Sequence, residues 1–92
     1  MTSGQPWKEL LERLNQASVQ FALTELDVTL SIMDRADLFS DAGQRKQAYS
    51  TARHSYETAS RCLVHLTFTD LEQLEISAKV RRIEQRLHEG PD

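Results

Sequence analysis

The stretch from Val19 to Met33, VQFALTELDVTLSIM, decides the fold because it is apolar on two opposite faces of a helix. At about 100° per residue, two sets of side chains separate. The first set is Val19, Leu23, Leu26, Leu30 and Met33, and the opposite set is Phe21, Val28 and Ile32. A helix that is apolar on two faces is usually buried between two neighbours. The pattern therefore predicts a central helix over residues 19–39.

The second apolar face of this helix continues into the segment that precedes Val19. Pro6 suits a first helical position, where its missing N–H costs nothing. From there a heptad-like stripe recurs at alternating spacings of three and four, as in coiled coils. It comprises Trp7, Leu10, Leu14, Ala17, Phe21, Thr24 and Val28. Two alternatives stay open for this segment: a first helix over 6–39 without a break, or a chain that bends near 15–18.

A turn at Ser40–Gly43 separates the first helix from a second, predicted over 42–66. Asp41 reads as its N-cap, with Gln44 as a capping-box partner. The inner face is built largely from small residues, which let two helix axes approach closely. It comprises Ala48, Ala52, Ser55, Tyr56, Ala59, Cys62, Leu63 and Leu66. The other face is polar: Lys46, Arg53, His54, Glu57, Arg61 and His65.

The third helix is predicted over 70–88. Thr69 and Glu72 form a capping-box pattern at its start, and Gly90-Pro91 follows its end. The linker Thr67-Phe68 is so short that the second and third helices are expected to be antiparallel neighbours. The 92 residues are thus expected to form a single all-α domain. Its predicted architecture is an antiparallel three-helix bundle with an N-terminal helical extension or a short fourth helix.

The third helix is also apolar on two faces. Leu71, Leu74 and Ala78 are expected to meet the other helices. The second face is then left without a partner: Ile76, Val80, Ile83 and Leu87. Two covers are possible for it. The N-terminal segment folds back to give a closed four-helix monomer, or a second subunit packs there.

The charge pattern limits the classes of partner. The net charge of −3 and the pI of about 5.6 argue against a nucleic-acid binder. Within the second helix, however, the basic residues outnumber Glu57. Three of them, Lys46, Arg53 and Arg61, are here called the basic strip. The strip either complements acidic neighbouring helices within the chain or binds an acidic partner.

The sequence predicts no catalytic, cofactor or metal site. Cys62 lies on the apolar face of its helix, whereas His54 and His65 lie on the polar face, so the three diverge. No glycine-rich phosphate loop or His-Glu-x-x-His pattern occurs. A lone cysteine fits a reducing compartment. The N-terminus lacks the apolar region of a signal peptide, and no stretch is apolar enough for a membrane, so the expected location is cytoplasmic.

The pattern Ala52-x3-Tyr56-x2-Ala59 resembles the second helix of tetratricopeptide repeats and of MIT domains, which are three-helix modules of similar order. The resemblance covers residues 20–88. It implies peptide binding in a groove between helices and no catalysis.

Together these observations predict a non-enzymatic protein–protein interaction or scaffolding module that self-associates through its second apolar stripes. The expected partner is a protein or a second copy, with neither nucleic acid nor membrane involved. The alternative is a small adaptor that binds an acidic peptide on the basic strip, and a small helical enzyme or ligand-binding bundle using His54 and His65 comes third. The predicted partner-binding residues are Lys46, Arg53, Arg61, Ile76, Val80, Ile83 and Leu87.

Overall fold

A computed structural model describes residues 6–89, which form three α-helices and no strand within that range. These are α1 (Pro6–Ala36), α2 (Ala42–Leu63) and α3 (Asp70–Glu89). The all-α fold class is confirmed. Because α1 is uninterrupted through residues 15–18, residues 6–89 contain no separate fourth helix, and within this range the closed four-helix monomer is wrong. Gly90 and Pro91 lie outside the described residues.

Local side-chain contacts fix where α2 and α3 begin. The Asp41 carboxylate accepts hydrogen bonds from the Gly43 N–H at 2.7 Å and the Gln44 N–H at 3.4 Å. At the start of α3, the Thr69 hydroxyl accepts from the Glu72 N–H at 3.1 Å, and the Glu72 carboxylate accepts from the Thr69 N–H at 2.9 Å. This reciprocal pair is the predicted capping box, which satisfies two backbone donors at a helix start.

The first two helices each end three residues earlier than predicted. Beyond Ala36, the N–H groups of Leu38 and Phe39 bond to carbonyls three residues back. The N–H groups of His65 and Leu66 do the same beyond Leu63. Such bonds satisfy the last carbonyls of a helix by tightening its final turn, so the chain leaves the α-helix while the apolar pattern still continues.

The core follows the inner face of α1. That face contributes the large buried side chains, and α2 contributes two fully buried alanines, Ala52 and Ala59. Ile76 and Ile83 of α3 complete the same cluster. The most extensive contact is between α1 and α2, and α3 packs mainly on α1. The predicted inner face of α1 is confirmed: Val19, Leu23, Leu26, Leu30 and Met33 are buried. The prediction that this helix is buried between two neighbours is wrong, because Phe21 and Val28 on its opposite face are exposed.

Hydrogen bonds and ion pairs set the alignment of the helices. Between α1 and the segment from α2 to its following turn, the paired positions run in opposite order. These pairs are Asn15 with Thr67, Thr29 with Ser55, and Asp37 with Tyr49. Between α1 and α3 the paired positions run in the same order along the chain. Here Asp27 pairs with Lys79 and Asp34 with Arg86.

The expectation for the two faces of α3 is wrong. Ile76 and Ile83 are buried, and Val80 and Leu87 pack partly buried against the core. Leu71 and Leu74 are instead 79% and 68% exposed, and Ala78 is exposed as well. The physical reason is the amount of apolar surface on each face. The inward face carries four large apolar side chains and the outward face two leucines and an alanine, so burying the first removes more apolar surface from water. Lys79 and Arg86 flank the buried face and reach carboxylates of α1.

Along its longest axis the described chain extends 62 Å, against 20 and 17 Å across. At about 1.5 Å per residue, the 31 residues of α1 account for roughly 46 Å of this length. Asn15 is held beside the turn between α2 and α3, and every residue from 6 to 14 is exposed. The first turns of α1 therefore project past the end of the bundle.

Candidate interaction surface

The side of α1 that faces away from the core carries a continuous row of exposed apolar residues, here called the outer stripe. It consists of Trp7, Leu10, Leu14, Phe21 and Val28. The exposed fraction falls from 60% at Trp7 to 39% at Val28. Ile32, which continues the row, is partly buried against the core. At about 1.5 Å per residue the stripe is on the order of 30 Å long.

A shallow, open depression of about 330 Å³ lies on the C-terminal half of this stripe. All the residues that line it belong to α1: Thr24, Asp27, Val28, Ser31, Ile32 and Arg35. Four of them, Thr24, Asp27, Val28 and Ser31, have the spacing i, i+3, i+4, i+7. Four residues of one helix arranged in this way form the hole that receives a side chain in knobs-into-holes packing.

Ion pairs border the bundle on the side where α1 meets α3. Lys79 Nζ lies 2.6 Å from Asp27 Oδ1, and Arg86 spans Asp34 at 2.6 Å and Asp37 at 2.8 Å. The Tyr49 hydroxyl donates to Asp37 at 2.9 Å. Burial and this hydrogen bond raise the pKa of Tyr49 above its ordinary value. Burial acts to lower the pKa of Arg86, but its hydrogen bond to Asp34 and its contact with Tyr49 outweigh that and raise it. These charges hold α3 in place.

The basic strip lies on the exposed face of α2. Lys46, Arg53 and Arg61 are all exposed, and none of them forms an ion pair with another residue in the range 6–89. The adjacent Arg45 donates instead to the carbonyl of Phe39 at 2.8 Å. The idea that the strip neutralises neighbouring acidic helices is therefore wrong for these side chains. Two acidic residues of α1, Asp27 and Asp34, pair with α3.

The four apolar residues predicted to bind a partner are in the chain's own core. Ile76 is 6% exposed and Ile83 is fully buried, so neither offers a surface to another molecule. Val80 and Leu87 pack around them. The longest row of apolar residues that remains open is the outer stripe of α1, and Leu71 and Leu74 form a smaller exposed patch on α3.

A cleft of about 690 Å³ opens where the projecting turns of α1 pass the turn between α2 and α3. Leu11 and Phe68 give it apolar walls, and Lys8, Glu12 and Glu72 line it with charge. The side chain of Asn15 forms its base by bonding the backbone of Thr67 twice, donating to its carbonyl at 2.8 Å and accepting from its N–H at 3.0 Å. Sequence spacing does not indicate this contact, because the two residues are 52 positions apart along the chain.

The groups considered for catalysis do not converge. His54 and His65 are exposed on α2, and Cys62 is a partly buried free thiol. Across residues 6–89 no three His, Cys, Asp or Glu side chains are grouped so that they could hold a metal ion. In the same part of the chain, no helix has the length and apolar character needed to cross a membrane.

Comparison with known proteins returned no matching family model, no matching curated protein and no matching solved structure. The resemblance of residues 20–88 to tetratricopeptide and MIT modules stays a prediction.

Proposed function

We propose that this chain is a non-enzymatic protein–protein interaction or scaffolding module, built as an antiparallel three-helix bundle, that self-associates through the outer stripe of α1. The observation that carries the proposal is the exposure of this stripe along most of a 31-residue helix whose opposite face is buried only from Val19 to Ala36. Exposed contiguous apolar strips mark interaction sites, because an ordinary monomer rarely presents one. The free thiol of Cys62 supports a cytoplasmic location.

The outer stripe is a better interface than the apolar patch on α3. Leu71 and Leu74 occupy a single turn, whereas the stripe continues from Trp7 to Val28 over six turns. Its heptad spacing is the pattern by which two helices bury apolar residues against each other. The projecting turns of α1 extend the stripe beyond the bundle, which leaves room for a second helix to lie along it.

The alternative is an adaptor that binds an acidic peptide. It is favoured by the exposure of Lys46, Arg53 and Arg61 and by the lack of ion pairs to them within residues 6–89. The groove binding implied by the tetratricopeptide and MIT resemblance belongs to this alternative. The strip lies on α2, away from the outer stripe, so separate substitutions distinguish the two functions.

Self-association is tested by absolute mass in solution, measured by light scattering after size exclusion. We expect the wild-type chain to have the mass of a dimer and Leu14→Glu to have the mass of a folded monomer. Leu14 is 55% exposed, so a charge there leaves the core intact. The matched control is Leu74→Glu, which changes a leucine that is 68% exposed on α3 and should remain a dimer. Circular dichroism confirms that each variant is helical.

The double variant Arg53→Glu/Arg61→Glu is measured alongside and should also remain a dimer. A wild-type monomer at every concentration tested would overturn self-association. A dimer that survives Leu14→Glu but is lost on Leu74→Glu would move the interface to α3.

A further inference from the structure

The heptad positions of α1 that contain the outer stripe combine large and small residues in a way that selects one partner. At the first position of each heptad stand Trp7, Leu14, Phe21 and Val28, and at the fourth stand Leu10, Ala17, Thr24 and Ser31. All of these side chains are exposed. A partner must therefore offer small residues opposite the large ones and large residues opposite the small ones.

Resting on the proposed self-association, we infer that the partner of the outer stripe is a second copy of α1 running in the opposite direction, with Ala17 of one copy opposite Phe21 of the other. This register also places Trp7 opposite Ser31, Leu10 opposite Val28, and Leu14 opposite Thr24. Trp7, Leu14 and Phe21 then each face a small residue, and Leu10 faces Val28. Close packing at native density requires this kind of size complementarity.

In this register, the depression on α1 receives the side chain of one of these residues. In the inferred register Leu10 of the second copy faces Val28. It enters the hole formed by Thr24, Asp27, Val28 and Ser31, where the open depression lies. Leu10 is itself 56% exposed, so its side chain is accessible to a second copy. Twofold symmetry creates the same contact at the other end of the dimer.

Charge agrees with the same register. Arg13 and Asp27 flank the stripe on one edge, and the antiparallel arrangement sets Arg13 of each copy opposite Asp27 of the other. Arg13 is exposed and has no ion pair within residues 6–89. Asp27 keeps 58% of its side chain exposed while it contacts Lys79. A carboxylate has about four lone-pair sites, so Asp27 can accept from a second cation.

The competing arrangements lack these matches. A parallel pair sets Trp7 on Trp7 and Phe21 on Phe21, while Ala17 meets Ala17, so crowded layers alternate with voids. Its flanking contacts bring Arg13 near Ser18 and contain no pair of opposite charges. Shifting the antiparallel register by one heptad places Val28 or Trp7 opposite a residue beyond the ends of α1.

Distances between spin labels test the inference in the intact dimer. Single cysteines are placed at two exposed positions of α1, Glu9→Cys and Gln20→Cys, in a Cys62→Ser background that must keep the wild-type mass and helicity. In the inferred register the two labels at position 20 lie within about one helical turn along the axis, and the two at position 9 are separated by roughly 30 Å. A parallel dimer brings both label pairs close.

Each outcome bears on a different claim. A short distance at position 20 with a long distance at position 9 supports the inferred register. Short distances at both positions overturn it and leave self-association through the stripe intact. Long distances at both, in a protein whose mass is dimeric, show that another surface forms the dimer. A monomeric mass contradicts the proposed self-association itself. Adding Leu14→Glu to the Gln20→Cys label should abolish the short distance.

Discussion

Ala59 is fully buried in the core cluster, where the inner face of α2 meets the other helices. Within the described chain, Ala52 and Ala59 are the only fully buried residues that α2 contributes. The buried face of α2 is therefore made of small side chains. Small side chains allow the axes of α1 and α2 to approach closely. A larger residue there would force the helices apart or push its own side chain off its preferred rotamer.

We therefore expect Ala59→Leu to lower the free energy of unfolding by ~1–3 kcal/mol, the usual effect of overpacking a core. Urea denaturation followed by circular dichroism measures the change. Ala78→Leu makes the same substitution on the exposed face of α3 and should leave stability within about 0.5 kcal/mol of wild type. Equal losses in both variants would show that helix propensity or the unfolded state, rather than packing at Ala59, is responsible.

Individual residues were predictable where their contacts are local. The capping box of Thr69 with Glu72 forms as expected, because it follows from a spacing of three residues. Asp41 also caps α2 as predicted, but among the described residues the Gln44 side chain does not bond back to it to complete a capping box. Asn15 behaves differently. Its two hydrogen bonds to Thr67 join residues 52 positions apart, and nothing in its immediate sequence indicates them. The same neighbourhood instead suggested a bend in α1, because polar residues interrupt the apolar pattern there.

At the scale of the helix, the sequence gives the existence and the inner faces of α1 and α2 but leaves the orientation of α3 undecided. Both faces of α3 carry apolar residues at helical spacing, so periodicity alone cannot say which one is buried. The face that is buried carries more large apolar side chains, and the residues that flank it, Lys79 and Arg86, find their carboxylate partners on another helix. For this reason the prediction that Ile76 and Ile83 bind a partner is wrong.

Substitution of α3 on its two faces checks the observed orientation. Ile83→Glu places a charge at a position with no exposed surface, and burial of an unpaired charge is among the most destabilising changes. We expect this variant to lose more than about 4 kcal/mol and to be largely unfolded at 25 °C. Leu74→Glu should melt close to wild type. The reverse result, with Ile83→Glu folded and Leu74→Glu unfolded, would mean that α3 presents its other face to the core.

At the scale of the whole molecule, the elongated shape and the exposed apolar residues of α1 both indicate that one face of this helix is uncovered. The radius of gyration is 16.7 Å, against about 12 Å for a compact domain of this length. A long α1 with only two shorter helices beside it leaves one of its apolar faces open to water. The architecture was predictable from hydrophobic periodicity. The open face was not, since sequence alone offered a folded-back N-terminal segment as an equal alternative.

An exposed stripe that is covered only in a dimer makes stability depend on concentration. In the proposed dimer a second copy would bind the folded chain and not the unfolded one, so mass action would raise the melting temperature as the protein concentration rises. We expect the wild-type melting temperature to increase steadily over a hundredfold range of concentration and that of Leu14→Glu to stay constant. Differential scanning calorimetry measures both. Because Leu14→Glu leaves the core unchanged, the two curves should converge at the lowest concentrations, where the wild-type chain is also monomeric. A wild-type melting temperature that does not change with concentration, or a Leu14→Glu curve that rises in parallel with it, would mean that the outer stripe does not contribute to the association.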